Sequence, residues 1–347
     1  MECIGNIGLD RVRFVLEGVM IDSNVYKMGI EKGDKAEVYD IATDENIKIS
    51  DFNLTLKGIA LSDKDDYTIK IELIKKPIVC FVLDVNIPKL LYNSNENNAS
   101  NIQHLKEVNH IIEKKLEEIG IFTDMNMARI SNIEVNVNSS DKKLYDAMKV
   151  IKKGWNSTND KVFITESHDK IESLMIKNSY LKIKVYNKIK QLKDTSQLHV
   201  NKNLVRIEVS TNHKKVLNRI SNDDMTLDSV INNFDKVEKW FNETIQKQVK
   251  KPIEDFQNKV INKMIEELKQ GHKTYDVLLN HAIQGNLVDL ESFDKAMKKY
   301  YKETNKKKPH TIIKNTKARL NKINEEVYCE ITGNMEALNN LWNEMEI

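Results

Sequence analysis

The apolar residues of this 347-residue chain mix two periods up to about residue 220 and keep one, the helical, after it, and that change constrains the fold more than any other feature. Up to about residue 97 the period is mostly two. Asp10-Arg-Val-Arg-Phe-Val-Leu16 alternates polar and apolar, and Tyr67, Ile69, Ile71 and Leu73 share one face of a later segment, the pattern of half-buried strands. Ile78 to Val85 is a continuous apolar run, as in a central strand covered on both faces. Asn93 to Asn101 reads as a loop. Ile102, Leu105, Val108, Ile112, Leu116 and Ile119 follow at helical spacing, with Gly120 placed to end the helix. A strand over 129–138 points Ile133, Val135 and Val137 one way and Asn132, Glu134 and Asn136 the other. A helix from Ser140 to about Lys153, ended by Gly154, and strands over 181–192 and 204–210 complete this part. After about Arg219 the period becomes helical. Phe234, Val237, Phe241, Ile245 and Val249 recur at three or four residues, and Pro252 restarts the rhythm with Phe256, Val260, Met264 and Leu268, closed by Gly271. The expected fold is α+β, an antiparallel sheet with helices packed on one face over residues 1–220, followed by an all-helical region over 221–347.

Charge sharpens this division. The chain carries 54 Lys+Arg and 52 Asp+Glu, a net of +2, which excludes a protein that coats nucleic acid through bulk charge. Residues 1–70 hold 9 basic and 14 acidic residues, or −5, whereas residues 151–220 hold 15 and 6, or +9. Residues 298–319 hold nine basic residues against Glu303 alone, or +8. Two basic tracts on a near-neutral chain are the footprint of a localised polyanion site. For the second tract, which includes Lys306, Lys307 and Lys308, a solvated helix face with a lysine loop is the competing reading.

Cys3, Cys80 and Cys329 are odd in number and widely spaced, which gives neither a disulfide framework nor a zinc knuckle. No secretory leader pattern and no membrane-length apolar run occurs, so a cytoplasmic location with no membrane partner is expected. Phosphate-binding glycine motifs are absent, and the eight histidines form no H-E-x-x-H, which argues against nucleotide cofactors and zinc hydrolysis.

The strand Leu181-Lys-Ile-Lys-Val-Tyr-Asn-Lys-Ile-Lys190 bears most on chemistry. Period two sets Lys182, Lys184, Tyr186, Lys188 and Lys190 on one face. A tyrosine that attacks a phosphodiester needs cations nearby, because they favour the phenolate and hold the phosphate. The same pattern also fits a sheet-face tyrosine among solvated lysines. Glu134 and Glu208 occupy comparable strand positions, and Glu208 shares a face with Arg206. Such carboxylates suit Mg²⁺ or Mn²⁺, or ordinary cross-strand ion pairs.

In order and spacing, Ile87-Pro-Lys-Leu-Leu-Tyr-Asn-Ser-Asn95, Arg129-Ile-Ser-Asn-Ile-Glu134, Val185-Tyr-Asn-Lys188 and Leu204-Val-Arg-Ile-Glu208 resemble the gene II/gene X replication initiators of filamentous phages and their plasmid relatives. Leu9-Asp-Arg-Val-Arg-Phe14 resembles that family's first strand. The resemblance implies a replication-initiator nuclease fold and a rolling-circle replication initiator that nicks DNA and transfers the strand through a 5′-phosphotyrosine. It makes Tyr186 the nucleophile and Lys188 its phosphate-contacting or phenolate-stabilising partner. Glu134, Glu208 and Asn95 become the positions for Mg²⁺ or Mn²⁺. The basic tracts, apart from the resemblance, make Lys182, Lys184, Lys190, Arg206 and Lys306 to Lys308 the expected DNA contacts. Two motifs differ from the family: Asn93-Ser94-Asn95 lacks its histidine, and Ser131-Asn-Ile-Glu134 replaces Ser-Arg-Ile-Asp. A non-catalytic origin- or centromere-binding protein on the same scaffold is the alternative. A conjugative relaxase is disfavoured by the missing paired histidines. The helical region is expected to serve origin specificity, contact with a second copy, or a host helicase.

Overall fold

The computed structural model describes residues 7–16, 19–21, 53–56, 68–74, 80–94, 99–118, 120–139, 161–167, 170–189, 204–283, 290–306, 311, 313–316 and 318. Asn95, Lys190, Lys307, Lys308 and the helix expected over 140–153 lie outside the described residues.

In chain order the strands are β1 (Gly8–Leu16), β2 (Met20–Ile21), β3 (Asn53–Leu56), β4 (Ile69–Ile74), β5 (Cys80–Asn86), β6 (Ile121–Phe122), β7 (Arg129–Ser139), β8 (Lys161–Ser167), β9 (Lys170–Lys177), β10 (Lys182–Asn187) and β11 (Val205–Thr211). The helices are α1 (Ile87–Tyr92), α2 (Ile102–Lys106), α3 (Val108–Glu117), α4 (Lys214–Ile220), α5 (Leu227–Asn232), α6 (Phe234–Ile245), α7 (Lys251–Lys269), α8 (Thr274–Ile283) and α9 (Leu290–Thr304). The chain divides into two compact units, Met1–Asn138 with Ile176–Phe241, and Ser139–Met175 with Asn242–Ile347. It is a mixed α+β protein with a helical C-terminal part. Among the described residues no helix is long and apolar enough to cross a membrane.

The first unit is built on a sheet in the order β3-β4-β5-β1-β7-β11-β10. The pairs β3–β4, β4–β5, β5–β1, β1–β7 and β10–β11 are antiparallel. Cross-strand partners share a face, so the registers separate two layers. Ile71, Leu83 and Phe14 partner one another across β4, β5 and β1, while Val12 faces Ile133, and Ile183 and Val185 face Val209 and Ile207. All of these are buried. At ~1.5–3 kcal/mol per fully buried apolar side chain, this layer drives the sheet together. The opposite layer is polar: Lys70 faces Asp84, Asp84 faces Arg13, Arg13 faces Asn132, and Arg11 faces Glu134.

Local chemistry sets the connections. Asn86 caps α1, its Oδ1 accepting from the Lys89 N–H at 3.1 Å, and Pro88 sits in the first turn where no N–H is needed. Asn93 ends the helix at φ 53°, a conformation asparagine tolerates. The helix expected from Ile102 breaks at Glu107 into α2 and α3, and Leu105, Val108, Ile112 and Leu116 stay buried. Gly120 follows at φ 81°.

In the second unit the break expected at Pro252 is a π-turn over Gln246–Lys250, after which α7 continues with Pro252 in its first turn. Proline clashes with the carbonyl four residues back, and a wider turn relieves that without ending the helix. Val260, Met264 and Leu268 of α7 pack with Val277 and Leu278 of α8 and Phe293 and Met297 of α9 in one apolar cluster. Gly271, at φ 91°, closes α7.

Candidate functional site

The polar layer becomes a site where β1, β7, β11 and β10 meet. On β1 the register slips: Leu9 faces Val135 and Arg11 faces Glu134, leaving Asp10 as an extra residue. Such a bulge turns two consecutive side chains to one side. Asp10 therefore joins Arg11 on the polar face while Leu9 and Val12 remain in the core. Asp10 Oδ1 accepts from Asn136 Nδ2 and from Arg206 Nη1, both at 2.9 Å, and Arg206 Nε donates to Asn138 Oδ1 at 2.8 Å.

Along β10 and β11, Lys184 faces Glu208 and Tyr186 faces Arg206. Lys184 Nζ donates to Glu208 Oε2 at 2.9 Å and lies 3.7 Å from Glu134 Oε2, while Lys182 Nζ lies 4.0 Å from the same Glu134 oxygen. The Tyr186 hydroxyl donates diagonally to Glu208 Oε1. Lys188 Nζ stands 5.7 Å from the Tyr186 ring centroid. Asp10, Glu134 and Glu208 are all buried and offer carboxylate oxygens within 4.8 Å of one another.

Burial and mutual charge set the protonation states. Burial, then the charge of Glu208, pushes the Glu134 carboxyl well above the usual carboxylate range. Burial would also raise Glu208, but Lys184, Arg206 and Lys188 outweigh it and hold Glu208 low. The pair thus keeps its proton on Glu134. Lys184 is raised: its burial is overcome by Glu208 and Glu134. Burial and the neighbouring Arg206 bring Lys188 down to about 7, so near neutrality it divides between amine and ammonium.

Several expectations need correction. The lysines of β10 were expected to lower the phenol of Tyr186. Instead burial, then the Glu208 carboxylate, raises it well above its ordinary value despite Arg206, because Lys184 and Lys182 point at carboxylates. Arg206, expected at DNA, is fully buried against Asp10 and Asn138. Lys188, expected on the strand's open polar face, lies past the end of β10 and is 1% exposed. Its backbone N–H donates to the Leu204 carbonyl at 2.8 Å. Lys306 belongs to the second unit, exposed, with its Nζ 3.3 Å from the Tyr300 hydroxyl.

The structure thus brings together Glu134, Glu208, Lys182, Lys184, Tyr186, Lys188 and Arg206, and adds Asp10, which the sequence reading passed over. The signal for Asp10 was a carboxylate at an apolar parity position of β1, next to Leu9. Three buried carboxylates form an all-oxygen donor set of the kind Mg²⁺ and Mn²⁺ prefer. A dication at these oxygens would have to displace the Lys184 ammonium and the Glu134 proton.

Fold and site together define an α+β chain with a buried acid cluster, a candidate metal site, hydrogen-bonded to a tyrosine. No family model and no curated protein matches the chain. Among solved structures it is similar to the rolling circle replication initiator protein from Geobacillus stearothermophilus, with a TM-score of 0.30 and 9% identity over 59% of this chain and 74% of that one.

Proposed function

We propose that the chain is a replication initiator that nicks DNA through Tyr186, in the manner of the gene II/gene X family its motifs resemble. The observation that carries this reading is the Tyr186 hydroxyl donating to Glu208 inside the acid cluster, with Lys188 beside the ring. In the proposed step the Tyr186 oxygen attacks a DNA phosphorus. The bond from tyrosine oxygen to phosphorus forms, and the bond from phosphorus to the 3′ oxygen breaks. The phenol proton passes to the amine form of Lys188, which then gives it, as ammonium, to the departing 3′ oxygen. A raised phenol makes an unreactive resting state; Lys188, brought down to about 7 beside the ring, is the base that arms it, and Glu208 fixes the hydroxyl through its hydrogen bond. Asp10, Glu134 and Glu208 would hold Mg²⁺ or Mn²⁺, which when bound supplies charge stabilisation to the phosphoryl oxygens. Arg206 anchors Asp10 through its hydrogen bond to Oδ1.

A second reading has its own observation. Lys184 already lies against Glu208 and Glu134, where a cation would sit. On this reading the cluster is a fixed ionic framework, and the chain binds an origin or centromere without cutting.

One experiment separates them. The full chain is incubated with Mn²⁺ and 3′-labelled single-stranded oligonucleotides that tile the DNA flanking its gene, then run on a denaturing gel. The nicking reading expects a protein-linked label that Tyr186→Phe reduces by at least about a thousandfold. Salt-sensitive binding with no adduct, with Mn²⁺ or in a parallel incubation with Mg²⁺, supports the second reading and removes the first.

A further inference from the structure

Beyond the acid cluster, the first unit carries an exposed aromatic pair set among lysines. Tyr180, 56% exposed, stacks edge-on against His213 with centroids 4.7 Å apart and planes at 80°. The ring's backbone is held from both sides. Its N–H donates to Asn178 Oδ1 at 2.9 Å, and its carbonyl accepts from Thr211 Oγ1 at 2.7 Å. Thr211 Oγ1 in turn accepts from the His213 N–H at 3.1 Å. A large aromatic that leaves more than half its surface in water while its backbone is fixed is a preorganised stacking surface rather than a loose surface residue.

The chain on either side of the pair carries only basic charge. The two segments that form it, residues 177–182 and 210–216, contain Lys177, Lys182, Lys214 and Lys215 and no Asp or Glu. Lys177, Lys214 and Lys215 are exposed. Aromatic faces for bases beside lysines for phosphates are the two components of single-strand recognition. Tyr180 precedes β10, the strand that carries Tyr186, by two residues.

We infer that Tyr180, backed by His213 and flanked by Lys177, Lys214 and Lys215, is a stacking site for a base of single-stranded DNA leading toward Tyr186. The occupant follows from charge complementarity: a polyanion carrying flat π-faces. This deepens the proposed function by naming where the strand rests, but stacking requires no cleavage.

The test therefore uses the full chain carrying Tyr186→Phe, without added metal, and fluorescence anisotropy with labelled dT15 and rU15. Tyr180→Ala should weaken dT15 binding about tenfold, and Tyr180→Phe should keep it within about twofold, since the ring rather than the hydroxyl stacks. Lys214→Ala with Lys215→Ala should flatten the salt dependence by about 0.7 per lysine. Unchanged thermal midpoints show that the variants fold. Equal dT15 affinity for Tyr180→Ala and its parent overturns the inference, as does an absence of dT15 binding. Tighter binding of rU15 than of dT15 overturns the DNA assignment. Failure of the adduct assay with this result intact removes the nicking reading and leaves the stacking site.

Discussion

The polar face of the sheet and the apolar cluster of the helical unit hold their interiors in opposite ways. On the sheet, Asp10, Arg206, Glu208 and Lys188 are buried together. Each answers another's charge or hydrogen-bonding capacity, as Arg206 does for Asp10. Around α7, α8 and α9 the buried cluster is Val, Ile, Met, Leu, Phe and Ala with the ring of Tyr300. His281 is an exception on α8: it is buried, with Nε2 3.3 Å from Glu267 Oε2. The first holds a whole cluster of groups able to move protons or hold a cation; the second, among the described residues, holds His281 beside Glu267. An apolar core tolerates most exchanges of similar volume; an ionic one is undone by loss of a single member.

The sharpest way to break the comparison is to remove one partner from the ionic side. Arg206→Ala strands the Asp10 carboxylate and should cost ~3–5 kcal/mol in urea unfolding, whereas Asp10→Leu with Arg206→Met should recover most of the loss. An additive double mutant would mean that the two side chains act independently. In the helical cluster Leu278→Ala should cost ~2–5 kcal/mol by leaving a cavity, with no change in metal or DNA binding.

A third measurement concerns the cation itself. Mn²⁺ at a hundred times its dissociation constant should stabilise the fold by ~2.7 kcal/mol. Glu208→Gln should abolish that gain and Leu278→Ala should preserve it. A gain that survives Glu208→Gln places the ion elsewhere.

How far the site was legible follows from which rules it obeys. The alternation in β7, β10 and β11 placed Glu134, Lys184, Tyr186 and Glu208 on polar faces, because strand parity alone decides that. Parity failed at Asp10, where the bulge inverts it. It failed again at Lys188, which follows the end of β10 at Asn187 and is buried. Protonation was the least legible. A row of lysines suggests a lowered phenol only if their ammonium groups face it, and the carboxylates of two other strands claim them first. The period change near residue 220 foretold the helical part, since amphipathic repeats are local. The π-turn before Pro252 left no comparable trace.

The smallest expected effect lies in the helical unit and is read through pH. Burial lowers the His281 pKa below its ordinary 6.5; Glu267 opposes the shift and Lys263 adds to it. A histidine harder to protonate in the fold than in the unfolded chain takes up its proton preferentially on unfolding. Stability is therefore lost as pH falls below about 6.5 and through the folded pKa, by at most about 1.4 kcal/mol per pH unit. His281→Leu should flatten this part of the pH profile relative to the parent chain. Glu267→Gln should extend it to lower pH, because the attraction that partly restores the histidine's basicity is gone. Urea midpoints at pH 7.5, 6 and 5 separate the three chains. If His281→Leu leaves the acid limb unchanged, the acid sensitivity belongs to the carboxylates and lysines of the sheet instead, and His281 acts in the helical interior as a packing residue alone.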